Sequence, residues 1–301
     1  MRKIGLGLLV IVVAFLVWYL FIKPSDYIIR FEAKTFSGAI NQTIKLWHRK
    51  LDTIGPVRQD GENINELTQK VRFGDSVHIY NWKIKPINDS TSKVIVGIKD
   101  ENHSLINKIN VPFSDTDFEK RSRKTVLDLM ENLKEHREKF KVAIVGEEEI
   151  PTKYVAYIPI KTTQLHKADG MMRNFSFLMG ELLDRDIKFD GFPLLEVTKW
   201  GQDNDSIHFN FARPIIRSEK LPIGIGIKYK RIFKKKALKA EYYGNYITSD
   251  RAWYALLDYA KKNDIAIEPT PIEVFHNNPK TEGGELNWKA EIFMPIKEGE
   301  K

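Results

Sequence analysis

Residues 186–193 read DIKFDGFP and residues 264–271 read DIAIEPTP. In both, Asp-Ile is followed at the same distance by proline, and this pairing decides the reading of the C-terminal half. An amphipathic stretch precedes each signature, Met171–Leu183 in one and Ser249–Lys261 in the other. A short β-prone run follows each, LLEVTKW at 194–200 and IEVFHN at 272–277, and then a run ending near proline, IHFNFARPI at 207–215 and NWKAEIFMPI at 287–296. Each set begins with another such run, KYVAYIPI at 153–160 and ALKAEYYG at 237–244. Alternation at period two marks strands and apolar recurrence at period 3.6 marks helices. The pattern therefore predicts a strand-helix-strand-strand unit used twice. One such unit cannot cover both faces of its sheet. Two side by side form a longer antiparallel sheet, helices on one face and a groove on the other.

Side chains alternate along the last strand of each unit. Trp288, Ala290, Ile292 and Met294 share the face suited to helices, and Lys289, Glu291 and Phe293 share the groove face. In the first unit Phe209 and Phe211 pack, and His208 and Asn210 face the groove. Aligning the two terminal prolines sets Asn210 opposite Glu291, an amide against a carboxylate. A carboxylate among aromatic rings suits a lipophilic cation, through charge and cation–π contact. Tyr243, Tyr246, Trp253, Phe293 and Trp200 are the candidate walls, core packing being the other role open to each. For Glu291 the competing role is a salt bridge to Lys289.

The segments AEYYGNY at 240–246, the helix with Trp253, DIAIEPTPIEVF at 264–275 and WKAEIFMPI at 288–296 resemble the gyrase-inhibitor-like small-molecule-binding domain, also called the AraC-type effector-binding domain. Asn245 stands where that family usually has proline beside Gly244. The resemblance implies an α+β effector-binding domain over 153–298 with Glu291 as its ligand-facing carboxylate. It also brings two rival roles: some relatives hydrolyse strained cyclopropane-bearing compounds with a glutamate, and others bind and regulate a protein partner. Nothing in the residues makes turnover a better expectation than binding.

Upstream, Tyr27–Phe36 alternates as a strand, and Ser37 opens a helix through Ile40, Ile44 and Trp47. Strand-like runs follow at Leu67–Phe73, Val77–Ile87, Lys93–Lys99 and Leu105–Val111, then a long amphipathic helix from about Asp115 to Phe140. This order resembles the helix-grip fold of the polyketide-cyclase/START-like superfamily, which implies a cavity for apolar ligands under the last helix of a domain spanning 25–142. No site residue carries over. A hollow filled by side chains is the alternative. Gly146 and Pro151 bracket three glutamates, so 143–152 is expected to be a linker.

Ile4–Ile22 carries no charge and no proline, about the length needed to cross a bilayer, with Trp18 and Tyr19 near its end and Lys23-Pro24 after it. Residues 1–24 are therefore expected to be a single-pass transmembrane anchor that places the remaining domains outside the cytoplasm. The charge balance, 48 Lys+Arg against 40 Asp+Glu for +8, is a mild excess. The basic run at 228–239 reads as a solvated connector, so no nucleic-acid partner is expected. The absence of cysteine excludes disulfides, iron–sulfur clusters and thiol nucleophiles. No two of the seven histidines are three or four residues apart, and there is no P-loop, G-x-G-x-x-G or G-x-S-x-G, so neither metal nor cofactor is expected.

Overall fold

The computed structural model describes residues 2–61, 63–88, 90–224, 226–279 and 283–297. The chain divides into two compact units, 1–135 and 136–301.

The first unit opens with helix α1 (Arg2–Val17), continued by a π-helical turn over Trp18–Ile22. Among the described residues no helix is long and apolar enough to cross a membrane. This overturns the expected transmembrane anchor at Ile4–Ile22, and the placement outside the cytoplasm loses its basis with it. The physical reason is length. The regular α-helix has 16 residues, which at about 1.5 Å per residue is about 24 Å, short of a hydrocarbon core of roughly 30 Å. The turn after it is held by the Lys108 ammonium, which donates to the carbonyls of Leu20 (3.1 Å) and Lys23 (2.6 Å). A cation at a helix C-terminus satisfies carbonyls that have no helical partner.

Strand β1 (Tyr27–Ala33) leads into α2 (Ser37–His48), then β2 (Arg58–Asp60), β3 (Asn63–Phe73), β4 (Ser76–Asn88), β5 (Thr91–Asp100), α3 (Ser104–Asn110) and α4 (Asp117–Arg137). The sheet order is β1-β5-β4-β3-β2, antiparallel throughout. The run 105–111, expected as a strand, is helix α3. Its apolar residues Leu105, Ile106 and Ile109 are exposed while Lys108 is buried on its carbonyl partners. Ile40, Ile44 and Trp47 of α2 and Val126, Leu129 and Leu133 of α4 pack on Tyr80, Trp82 and Val96 of the sheet. Trp47 meets Trp82 edge-on at 6.3 Å, and Tyr80 stacks on Trp82 at 5.8 Å. Large rings thus occupy the space between this sheet and these helices. A depression of about 620 Å³ is lined by Ile28, Thr68, Asn81, Ile95 and Gly97, which alternate with the packed residues.

The second unit contains β6 (Phe140–Ile150), β7 (Lys153–Thr163), α5 (Lys167–Leu183), β8 (Leu194–Gly201), β9 (Ser206–Pro214), β10 (Lys228–Ile232), β11 (Lys235–Gly244), α6 (Arg251–Lys262), β12 (Ile272–Phe275) and β13 (Lys289–Pro295). Its sheet runs β10-β7-β9-β8-β12-β13-β11-β6. The segment 143–152, expected as a linker, lies largely in β6, which pairs with β11. Gly146, read as a flexible joint, has φ 116° where the β6–β11 register shifts beside Lys239. The glutamates that follow it run along the strand, with Glu149 held by Lys234 at 2.7 Å. The basic run 228–239 is likewise structured, forming β10 and the start of β11.

The repeat is visible bond by bond. Asp186 and Asp264 both adopt left-handed backbone, φ 55° and 53°, just past their helices. The next residue closes each helix, Ile187 N to Leu182 O at 3.0 Å and Ile265 N to Ala260 O at 2.9 Å. These are Schellman closures, where a short polar side chain tolerates the left-handed conformation. Asp190 N bonds Pro214 O as Glu268 N bonds Pro295 O, and Val197 N bonds Pro271 O as Phe275 N bonds Pro193 O. The last pair swaps hydrogen bonds between the copies, and β8 and β12 pair directly at the seam. Gly244 at the end of β11 has φ 147°, and a Cβ there would lie 2.6 Å from the Tyr242 hydroxyl and 2.9 Å from Lys139 O, so glycine is required.

Helices α5 and α6 cover one face, packing Leu178, Leu182, Trp253 and Leu256 against Phe209, Phe211, Tyr242 and Ile292. Under their N-termini the Lys167 ammonium, fully buried, donates to Glu273 Oε1 (2.7 Å) and to Ser249 Oγ (2.5 Å), and Ser249 donates to Glu273 Oε2 (2.7 Å). Lone Glu273→Ala leaves a buried ammonium unpaired and is expected to lower stability by about 3–5 kcal/mol. The double substitution Lys167→Met with Glu273→Leu should recover most of that, because both charges go together; urea unfolding measures the two.

His136 Nε2 accepts from Arg251 Nε at 3.2 Å, so its imidazole is neutral. Burial, with Arg251 and Lys139 nearby, pushes its pKa down to about 3. The unfolded chain binds a proton below about pH 6.5 that the folded chain refuses, so stability falls as pH drops from about 6.5 towards 3. His136→Gln is expected to flatten this part of the stability–pH curve, as read by thermal unfolding.

Candidate functional site: the groove face of the repeat sheet

The face of the eight-stranded sheet opposite α5 and α6 carries its own apolar patch, including Val155, Leu194, Ala212, Ile232, Ile272 and Phe293. It frames a cavity of about 190 Å³ at the β8–β12 seam. Leu194, Ile272, Val274 and Phe293 form its floor, Phe192 and Ile150 its sides, and Glu291 and His276 its polar end. Strand alternation sets this composition. β12 presents Ile272 and Val274 to the cavity and turns Glu273 and Phe275 to the helices.

Glu291 is reached by three groups. Lys239 Nζ lies 3.1 Å from Oε1, Lys289 Nζ 3.3 Å from Oε1 and His276 Nε2 3.2 Å from Oε2. Lys289 is shared with Glu241 at 2.7 Å. The Glu291 side chain keeps 19% of its accessible surface. Burial alone would raise its carboxyl, but Lys239 and His276 outweigh burial and hold it below the ordinary carboxylate value. A group so held is an ionised anchor at neutral pH and lacks the raised pKa of a general acid. Lys289 likewise holds Glu241 low, and Glu241 holds Lys289 high. Among the described residues no group of His, Asp and Glu is arranged to hold a metal ion.

The candidate residues divide between the two faces. Glu291 and Phe293 line the cavity. Asn210 is on the same face and donates to Glu196 Oε2 at 2.9 Å, while His208 lies two pairs further out towards the β8–β9 turn. Tyr243 is on this face near the end of β11, its hydroxyl donating to Glu241 at 3.0 Å. Tyr246, Trp253 and Trp200 are on the helix side, which corrects their expected place as groove walls. Tyr246 donates to Lys289 O and packs on Phe275 and Trp288. Trp253 is fully buried against Trp200. Trp200 reaches that side because a bulge between Val197 and Lys199 shifts the alternation, placing Trp200 opposite Ile207. Strand alternation alone also passes over Lys239, His276 and Glu196. The signal for Lys239 and Glu196 is their place in the groove-facing half of their strands, but only strand order brings Lys239 to Glu291.

No protein-family profile and no curated protein sequence matches the chain. Several solved structures are similar to part of it, three of them as follows. One is the C-terminal domain of EcmrR, 14% identical, covering 52% of this chain and 98% of that one at a TM-score of 0.44. Another is SAV2435 bound to tetraphenylphosphonium, 12% identical, covering 53% and 94% at 0.36. A third is a hydrolase from Listeria innocua, 10% identical, covering 55% and 98% at 0.32.

The facial division has a measurable consequence. Trp253→Ala is expected to cost about 3–5 kcal/mol of stability as a large buried ring is lost. Trp200→Phe, by contrast, should leave the affinity of any groove ligand within twofold, as calorimetric titration would read.

Proposed function

We propose that the second unit is a binding module, for sensing or sequestration, that holds a small lipophilic cation in the groove between its two halves. The observation that carries this reading is the environment of Lys239. Its ammonium lies 3.1 Å from Glu291 and 5.4 Å from the centre of the Phe293 ring, beside an apolar floor. A carboxylate and an aromatic face are the two elements that recognise an organic cation, and here the chain's own ammonium occupies them. The Lys239 side chain keeps 18% of its surface, so it can swing out and yield its place to a ligand whose apolar groups cover Ile272, Val274 and Leu194. The ionised state of Glu291 supports a counter-ion role over proton transfer.

Tetraphenylphosphonium serves as the probe, in calorimetric titration of the full chain at neutral pH. Saturable binding is expected. Glu291→Gln should weaken it by tenfold or more with unchanged thermal unfolding; Phe293→Ala should weaken it by a comparable factor and, because Phe293 is buried, also lower thermal stability. Wild-type affinity in Glu291→Gln would overturn the reading.

A further inference from the structure

The Lys239 arrangement has a second version in the other half of the groove. Lys230 of β10 pairs with Glu196 Oε2, and its ammonium lies 5.3 Å from the centre of the Tyr157 ring. Glu196 is fixed from the other side by Asn210 Nδ2 at 2.9 Å. Each half of the groove therefore presents a carboxylate and an aromatic face that together enclose one lysine ammonium. The two sets use different sequence positions: the equivalent of Glu291 is Asn210, whose role here is to orient Glu196. Between them lies the apolar floor of Leu194, Ile272 and Val274. Glu196 is level with Ile272, and Glu291 with Val274 one strand further on. Two strand spacings of about 4.8 Å and two residues of about 3.4 Å put the two carboxylate-bearing positions roughly 12 Å apart.

We infer that the groove has two cation subsites, one at Glu291 and Phe293 and one at Glu196 and Tyr157, and that it takes a ligand with two positive charges joined by an apolar spacer. This rests on the cation reading of Glu291 and extends it. Lys230 and Lys239 act as internal competitors: partly exposed pairs of this kind hold weakly, with side-chain exposures of 29% for Lys230 and 19% for Glu196. A ligand that fills both subsites gains from the second contact without a second loss of freedom.

The test compares decamethonium, with two trimethylammonium groups on a ten-carbon chain, with decyltrimethylammonium, which has one. Tetraphenylphosphonium is run beside them, with the full chain in calorimetry. Decamethonium is expected to bind at least tenfold tighter than decyltrimethylammonium. Glu196→Gln should remove that advantage while leaving tetraphenylphosphonium affinity within twofold, and Lys230→Met, which removes the competitor, should tighten decamethonium severalfold. Equal affinity of the two amphiphiles, or a decamethonium advantage that survives Glu196→Gln, overturns the second subsite. If tetraphenylphosphonium still binds through Glu291 in that case, the single-cation reading stands alone. Absence of binding by all three cations overturns both. Should Glu196→Gln fail to fold, Lys230→Met decides: unchanged or weakened decamethonium binding counts against the inference.

Discussion

The second unit depends on one antiparallel contact, the pairing of β8 with β12, where Glu196, Leu195 and Leu194 meet Ile272, Glu273 and Val274. It is short, yet it joins two four-stranded halves into one sheet. Neither half could cover its own apolar surface: the helix-side residues of both belong to one continuous core. The seam is reinforced on the helix side by Lys167, Ser249 and Glu273, a buried polar contact between the halves. Leu195 is the cross-strand partner of Glu273, so the carboxylate is carried by the second copy only and the ammonium by the first. A buried ion pair of this kind contributes little net stability over an apolar pair. Its geometric demands do fix how the N-termini of α5 and α6 meet.

The groove is the other side of the same seam. Because β12 is a strand, the residues flanking Glu273 must point away from the ion pair, and Ile272 and Val274 become the cavity floor. The polar groups stand at the margins, on β8, β13 and β11, where lysines from neighbouring strands can reach them. The division between an apolar centre and flanking Glu–Lys pairs thus follows from period-two alternation combined with strand order. The same rule, broken by one bulge at Thr198, sends Trp200 to the helix side.

In the first unit the chemistry is that of packing. Trp47, Tyr80 and Trp82 fill the space between sheet and helices, and Lys108 spends its charge on the carbonyls at the end of the N-terminal helical segment. As a short apolar run following turn residues, 105–111 reads as a strand. Burial of Lys108 on backbone acceptors is what permits the helix there, with Leu105 and Ile109 outward.

The repeat was legible in the sequence because its markers are local. Asp-Ile after a helix and proline before a strand are consequences of helix closure and of a missing amide, and neither needs a partner far along the chain. The face assignments of Glu291, Phe293 and Asn210 were legible for the same reason, since alternation is a property of one strand. The extent of the N-terminal helix was not, because apolar composition does not reveal where a lysine 85 residues downstream of Lys23 will end it. Nor was the fate of Gly146 and the glutamates after it, where linker and edge strand share a composition and only pairing with β11 separates them. The surroundings of Glu291 were also beyond the sequence: Lys289 is its neighbour by strand geometry, but Lys239 arrives from β11 on one side and His276 from just past the end of β12 on the other. Which carboxylate meets which ammonium is settled by strand order and register, and these belong to the tertiary structure.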